Sequence, residues 1–197
     1  MQDLDIKLFF NFRSPYCYLA SKTLFSLVDD FHAKIVWRPL GGWVGRSPPE
    51  RAKVKMPLVR QDVARWCKRM NIPMNPPPIS TDPTRAAAAS LYAETQDKLR
   101  PFIIETMDME WAEGCDIGQT EIIAEIAKRI GLDAESLVAA ADDAANHKRL
   151  DEIANEAEKL SVMGVPTFLI EEQIYWGNDR IDFVREELAE RGLARTP

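Results

Sequence analysis

The first forty residues change from a strand-like to a helix-like hydrophobic pattern and back again. Residues 5–12 carry apolar side chains at both odd and even positions, which is typical of a strand buried on both faces. Residues 15–31 repeat mainly apolar side chains at every fourth position, which predicts a helix. Residues 34–40 predict a second strand. This β-α-β order indicates two parallel strands joined by a right-handed crossover.

Strand signals disappear between residues 41 and 161, and helical patterns take their place. Two connections rich in proline and glycine, GGWVGRSPPE and NIPMNPPPISTDP, interrupt the region. The predicted helices include TRAAAASLYAETQDKL and residues 120–130, which end at Gly131 as a C-cap. Asp133 is expected to cap the helix that follows.

The strand signal returns at VPTFLI, and a short EEQ turn followed by IYW predicts a hairpin that ends at Gly177. Asn178 or Asp179 is expected to cap a last helix through Arg191. The complete order predicts an α/β protein with a thioredoxin-like fold and an inserted all-helical domain. We expect residues 1–40 and 162–197 to form the thioredoxin-like domain and residues 41–161 the inserted helical domain.

The charge balance argues against a nucleic-acid partner, and the apolar segments are too short for a membrane span. A formal charge of −6, with 46% apolar and 28% charged residues, describes an acidic globular protein and not a nucleic-acid binder. No apolar segment approaches the roughly 20 residues that cross a bilayer, and MQDLDIKLFF has no targeting pattern. We therefore expect a cytoplasmic protein without a membrane partner.

The cysteines and histidines argue against a disulfide framework and against a histidine-based metal site. Cys17, Cys67 and Cys115 are widely spaced and form no Cys-x-x-Cys pair, so we expect free thiols in a reducing compartment. His32 and His147 are far apart in the chain and do not suggest a histidine-based metal site.

The junction between the first strand and the first helix, FNFRSPYCYLA, contains a candidate site. Ser14 and Pro15 can be explained as the N-cap and first residue of a helix. Ser14 also follows the first strand of a β-α-β unit, where open α/β sheets bind ligands. Lowering a thiol pKa from about 8.5 to about 6.5 requires roughly 2.7 kcal/mol, more than the ~0.3–1 kcal/mol that a helix terminus usually supplies. A hydroxyl hydrogen bond to the thiolate adds about 1.5–3 kcal/mol, which makes Ser14 a candidate stabiliser of a ligand's thiolate.

Three further positions each have an ordinary and a functional interpretation. Cys17 could be a lone redox thiol, but a small buried residue is the simpler interpretation, since the position three residues earlier holds no cysteine. Val165 and Pro166 could simply begin a strand. Asn178 and Asp179 could form a turn and cap, or could hold an amino-acid head group through backbone amides and a carboxylate.

Several segments together resemble a known family. FNFRSPYCYLA, KMPLVRQDVARW and GVPTFLIEEQIYWGNDRIDF, with the helical region between them, are similar to the 2-hydroxychromene-2-carboxylate isomerases and to their relatives, the kappa-class glutathione transferases. The resemblance covers essentially the whole chain. It implies a usually dimeric protein with glutathione as cofactor and a small aromatic substrate. The implied reaction converts 2-hydroxychromene-2-carboxylate, or a related aromatic catabolite, to the trans-o-hydroxybenzylidenepyruvate isomer by reversible thiolate addition.

The resemblance also implies roles for individual residues. Ser14 would donate a hydrogen bond to the glutathione sulfur. Val165, which precedes Pro166 and a peptide bond that is cis in the family, would pair through its backbone with the cysteinyl part. Asn178 and Asp179 would hold the γ-glutamyl end.

The resemblance implies one further role, and the sequence departs from the family pattern at three places. Lys55 is expected near the glycyl carboxylate of glutathione, and Lys53 is the alternative. Asn11 stands where relatives usually show Asp, Arg13 is an unusual neighbour of the serine, and residues 45–49 lack an asparagine often found in that loop. These departures bear on the identity of the substrate.

Three other functions remain open at this point. The first is a kappa-class-like glutathione S-transferase that acts on another electrophile. The second is a thiol oxidoreductase that uses Cys17 alone. The third is a non-catalytic binder of glutathione or of a peptide on the same scaffold.

Overall fold

A computed structural model of the chain describes residues 3–42 and 49–195, so most of the 45–49 departure lies outside the described residues. In the described part, one four-stranded sheet has the strand order β2-β1-β3-β4. The strands are β1 (Leu4–Phe10), β2 (Ala33–Pro39), β3 (Thr167–Ile170) and β4 (Gln173–Trp176). β1 pairs parallel to β2 and antiparallel to β3, and β3 pairs antiparallel to β4. The predicted parallel pair and the predicted hairpin are both confirmed.

Helices flank this sheet and make up most of the described sequence between β2 and β3. They are α1 (Pro15–Ser21), α2 (Ser26–Asp29), α3 (Pro49–Met70), α4 (Thr84–Thr95), α5 (Leu99–Trp111), α6 (Thr120–Ile130), α7 (Ala134–Asp142), α8 (Ala144–Lys159) and α9 (Ile181–Glu190). A short 3-10 helix at Asn178–Arg180 precedes α9. None of the helices in the described ranges has both the length and the apolar character that a bilayer span requires.

Two helix ends confirm the local signals in the sequence. α6 ends at Gly131, whose φ of 74° places it in the left-handed conformation. The carboxylate of Asp133 accepts a hydrogen bond of 2.8 Å from the amide of Ser136 and so caps α7. Both features depend on residues within one turn of each other, which explains why they could be predicted.

Two predicted boundaries are wrong. The helix expected at 15–31 is divided, because the chain turns after Ser21 and buries Leu24 and Phe25 in the core before α2 begins. The strand expected at 5–12 ends at Phe10, because the backbone carbonyl of Asn11 accepts a hydrogen bond from Ser14 N (3.0 Å). Tertiary packing and loop hydrogen bonds override the periodic pattern in both places.

An aromatic cluster joins the sheet to the helices under the serine loop. The Phe10 ring lies 5.4 Å from Phe12 and 5.2 Å from Trp37, and Phe12 lies 5.8 Å from Phe102 of α5, all between ring centroids. These four side chains are at most 2% exposed. The chain segment that carries Ser14 therefore lies on a well-packed base, to which α5 contributes.

Candidate functional site

Ser14 lies in a tight loop between β1 and α1. Its backbone is extended (φ −94°, ψ 119°), and its Oγ accepts a hydrogen bond of 3.4 Å from the amide of Cys17, as expected of an N-cap before Pro15. The same hydroxyl donates a hydrogen bond of 3.3 Å to the backbone carbonyl of Val165. The half-buried serine thus contacts a residue 151 positions away in the sequence.

The peptide bond between Val165 and Pro166 is cis, as the resemblance implied. Thr167, directly after it, donates a hydrogen bond of 2.7 Å from its hydroxyl to the carbonyl of Gly164. The carbonyl of Pro166 accepts a hydrogen bond of 2.9 Å from the amide of Gly177. These bonds bring the serine loop, the cis-proline segment and the turn after β4 to one end of the sheet.

Asn178 and Asp179 lie in the 3-10 helix that begins this turn, so the prediction that either one caps the last helix is wrong. α9 begins at Ile181, and no side-chain hydrogen bond from the described residues caps it. The turn starts earlier because Gly177 adopts φ 124°, a conformation that suits glycine. A Cβ at this position would lie 2.4 Å from Oδ1 of Asp179, so a larger residue would also require the Asp179 side chain to rotate.

Tyr16 of α1 is hydrogen-bonded to Asp62 and is also affected by the negative charge of Asp179. Its hydroxyl donates a hydrogen bond of 2.9 Å to Oδ2 of Asp62 on α3. Burial, this hydrogen bond and the negative charges of Asp62 and Asp179 raise the pKa of Tyr16 to about 12. Tyr16 therefore keeps its proton at neutral pH. Sequence reasoning missed this pair, although both residues lie within the segments that carry the family resemblance.

The helical repeat distinguishes the two candidate lysines. At about 100° per residue, Lys55 lies on nearly the same face of α3 as Asp62, seven residues later, and about 10 Å away along the axis. Lys53, nine residues before Asp62, lies on nearly the opposite face. On an ideal helix Lys55 therefore shares the face of Asp62, which contacts Tyr16 of α1; α3 contains Pro57 between these two residues, and both lysines are exposed.

Cys17 does not have the properties of a redox thiol. Its side chain is 0% exposed and belongs to the main hydrophobic core. Burial raises the pKa of the Cys17 thiol to about 12, despite hydrogen bonds with Asn11 and Ser14 that act in the opposite direction. A buried protonated thiol is a poor nucleophile, so the structure favours the simpler interpretation of this residue.

Asn11, one of the departures from the family pattern, organises the serine loop. Its Oδ1 accepts a hydrogen bond of 2.9 Å from the amide of Arg13, and its Nδ2 donates one of 3.4 Å to the carbonyl of Gly42. The side chain is 5% exposed. A neutral amide thus serves both as acceptor and as donor, which an ionised carboxylate could not do.

The structure brings together the half-buried hydroxyl of Ser14, the backbone of Val165 and, after β4, the acidic Asp179. A peptide with a thiol and an ammonium group presents a sulfur for the hydroxyl and a positive charge for the carboxylate. Across residues 3–42 and 49–195, acidic, cysteine and histidine side chains do not gather into a metal-binding group.

Comparisons with known proteins cover almost the whole chain. The chain is 28% identical over 190 residues to 2-hydroxychromene-2-carboxylate isomerase of Sphingobium xenophagum, with 93% of this chain and 97% of the relative covered. A solved 2-hydroxychromene-2-carboxylate isomerase superposes with a TM-score of 0.84 at 23% identity and covers 96% of both chains. Cytosolic disulfide reductase DsbM of Pseudomonas aeruginosa, solved with GSH, gives a TM-score of 0.72 at 18% identity and covers 95% of this chain and 98% of its own.

The family comparison covers nearly the whole sequence. The DSBA-like thioredoxin domain matches residues 5–189, which include all strands and helices described above except the first residue of β1 and the end of α9. The α/β thioredoxin-like fold with a helical insertion is therefore confirmed, and so is the resemblance to the isomerases. This chain belongs to the DSBA-like thioredoxin domain family.

Proposed function

We propose that this protein is a glutathione-dependent isomerase that acts on 2-hydroxychromene-2-carboxylate or on a related aromatic catabolite. Relatives that bear the name of this isomerase match over nearly their full length. A structural neighbour was solved with GSH, which supports glutathione as the thiol.

The observation that carries the proposal is the contact between Ser14 and the cis-proline segment. The Ser14 hydroxyl lies 3.3 Å from the carbonyl of Val165, so a peptide that pairs with the Val165 backbone would have its side chain beside this hydroxyl. The hydrogen bonds that Ser14 makes now, at 3.3 and 3.4 Å, are at the long end of the usual range. The hydroxyl can exchange the bond to Val165 for a bond to a sulfur at small cost.

Bound glutathione would supply a thiolate that adds reversibly to a conjugated double bond and so permits rotation about it. Ser14 would donate its hydroxyl hydrogen to that sulfur and hold it in the anionic form. Val165 would bind the cysteinyl backbone, Asp179 and Asn178 the γ-glutamyl end, and Lys55 the glycyl carboxylate. The Tyr16–Asp62 hydrogen bond would hold α3, and with it Lys55, against α1.

A recess beside Val165 suits the ring of an aromatic substrate. It has a volume of about 400 Å³ and is lined largely by apolar side chains, among them Leu40, Ala157 and Val162. Val165 lines the recess and also contacts the Ser14 hydroxyl, so this residue joins the recess to the proposed thiol site, although Ser14 itself does not line the recess. We propose that the aromatic ring occupies this recess.

The oligomeric state is proposed on the basis of the resemblance, and the cellular location on the basis of the widely spaced cysteines and the other sequence features described above. We propose a cytoplasmic homodimer. Light scattering coupled to size-exclusion chromatography would measure the mass in solution, and a mass near the monomer value of 22.4 kDa would contradict the dimer.

The direct test follows the absorbance of 2-hydroxychromene-2-carboxylate with purified protein at substoichiometric glutathione. We expect isomerisation that requires glutathione, does not consume it, and continues for many turnovers. A second reaction with a model electrophile and stoichiometric glutathione serves as a control for transferase chemistry. Isomerisation that proceeds equally well without glutathione would contradict the proposal, and a stable conjugate with no isomerisation would favour the kappa-class-like transferase.

A further inference from the structure

Trp176, the last residue of β4, is a large aromatic side chain that is half exposed, at 50%. Trp37 and Trp111 are buried and Trp66 is partly buried, so Trp176 is the most exposed tryptophan among residues 3–42 and 49–195. The roles proposed for glutathione binding do not include it. Its surroundings connect it to the cis-proline segment.

The backbone of Trp176 is fixed to the two residues that follow Val165. In the antiparallel pair of β3 and β4, Trp176 lies opposite Thr167. The next residue of the turn, Gly177, donates its amide to the carbonyl of Pro166 in a hydrogen bond of 2.9 Å. The position of the indole relative to the cis peptide bond is therefore set by the sheet.

The indole ring lies against Gly164, the residue before Val165. A Cβ atom on Gly164 would lie 2.7 Å from Nε1, 2.9 Å from Cε2 and 2.9 Å from Cζ2 of Trp176. Nonbonded carbon atoms normally stay about 3.5–4.0 Å apart, so a residue with a side chain could not approach the ring this closely. The φ angle of Gly164 lies outside the left-handed region, so the close approach of the ring, and not the backbone conformation, favours glycine here.

Gly164 and Val165 form the segment on which both proposed ligands depend, since both residues line the recess. The carbonyl of Gly164 accepts a hydrogen bond of 2.7 Å from the hydroxyl of Thr167. The carbonyl of Val165 accepts the hydrogen bond of 3.3 Å from Ser14. Together with these hydrogen bonds, the indole limits the movement of the peptide between Gly164 and Val165.

We propose that Trp176 is a positioning residue, whose indole holds the backbone of Gly164 and Val165 in the conformation that pairs with glutathione. The proposal deepens the function argued above and rests on it for the role of Val165. Trp176 does not line the recess, so it acts through Gly164 and not on the substrate ring. A side chain at position 164 and the indole at position 176 should therefore exclude each other.

The test is a double-mutant cycle with Gly164→Ala and Trp176→Ala. In the wild-type background the new methyl group must displace the indole, or the backbone that carries Val165, by about 1 Å. Because a misplacement of about 1 Å can cost about 100-fold, and ring and backbone share it here, we expect Gly164→Ala to lower kcat/KM for glutathione by about tenfold. The loss should lie mainly in KM, since the Val165 backbone binds glutathione.

The second half of the cycle removes the ring. Trp176→Ala should raise the KM for glutathione by about 3- to 10-fold, and Trp176→Phe, which keeps a flat ring, should restore most of the wild-type value. In the Trp176→Ala background, Gly164→Ala should add less than about twofold, because the methyl group then has room. Losses that multiply in the double variant would overturn the proposal.

Ile174→Ala is the matched control. Ile174 lies two residues before Trp176, on the same face of β4, and is also 50% exposed. The three atoms nearest to a Cβ on Gly164 nevertheless all belong to Trp176. We expect Ile174→Ala to leave the KM for glutathione unchanged, and a rise equal to that of Trp176→Ala would contradict the specific role of the indole.

A measurement without glutathione separates this proposal from the proposed function. Wild type, the two single variants and the double variant are unfolded in urea. Gly164→Ala should lower the midpoint in the wild-type background but not in the Trp176→Ala background, and its effect on the unfolded chain cancels in this comparison. Non-additive midpoints in a protein that does not use glutathione would leave the contact intact and remove the proposed function. Additive midpoints in an active glutathione-dependent isomerase would remove the role of Trp176 alone.

Discussion

The Ser14→Ala substitution, which removes the side-chain hydroxyl, should raise the thiol pKa of bound glutathione. The hydroxyl's hydrogen bond to a charged sulfur is worth about 1.5–3 kcal/mol, which corresponds to a rise of about 1–2 pKa units in Ser14→Ala. α1 has only seven residues, so its dipole supplies little compensation. If the wild-type thiol titrates near 6.5, the thiolate fraction at pH 7 should fall about 3- to 25-fold.

The measurement is a pH titration of the thiolate absorbance of bound glutathione, combined with kcat/KM over the same range. Since the variant loses thiolate, its deficit in kcat/KM should be largest below the wild-type thiol pKa, should decrease as the pH rises through neutrality, and should vanish above the new thiol pKa. Ser14→Thr, which keeps the hydroxyl, should recover part of the lost activity.

Loss of the N-cap at Ser14 costs about 0.5–2 kcal/mol of stability, so a stability control is needed. Asp133→Ala removes the N-cap of the distant helix α7 and should lower stability while it leaves the thiol pKa unchanged. A Ser14→Ala protein whose bound glutathione ionises like the wild type would refute the role assigned to this serine.

Three further predictions concern other residues. Cys17→Ala should keep kcat within about twofold, because the buried thiol does not reach the ligand, and should lower stability by about 1–2 kcal/mol; abolished activity in a folded variant would restore the oxidoreductase hypothesis. Lys55→Ala should raise the KM for glutathione by about 1.5- to 5-fold, the equivalent of an exposed ion pair, whereas Lys53→Ala should not. Glu110 has a raised pKa, so wild-type stability should decrease as the pH rises above the ordinary value of 4.5, by up to about 1.4 kcal/mol per pH unit. Urea unfolding at several pH values should show that Glu110→Gln removes this slope, and an equal slope in both proteins would contradict the assignment.

The order of strands and helices was evident from the sequence because each element depends on neighbouring residues. The cap at Gly131, the cap at Asp133 and the hairpin at residues 167–176 all follow from short-range patterns. The thioredoxin-like arrangement follows from that order because parallel strands require a crossover. Ser14 could be identified as a candidate because serine is a favoured N-cap and because open α/β sheets bind ligands where strands end.

The assembly of the site was decided by tertiary structure. Ser14 and Val165 meet across 151 positions, and Tyr16 and Asp62 across 46, distances over which no periodic pattern carries information. Glu110 lies in an apparently ordinary helix, and only the packing shows that it is buried. The sequence alone determined the elements, since they rest on local hydrogen bonds and side-chain periodicity. The fold determines which side chains are buried together, and the chemistry proposed for the site depends on that shared burial.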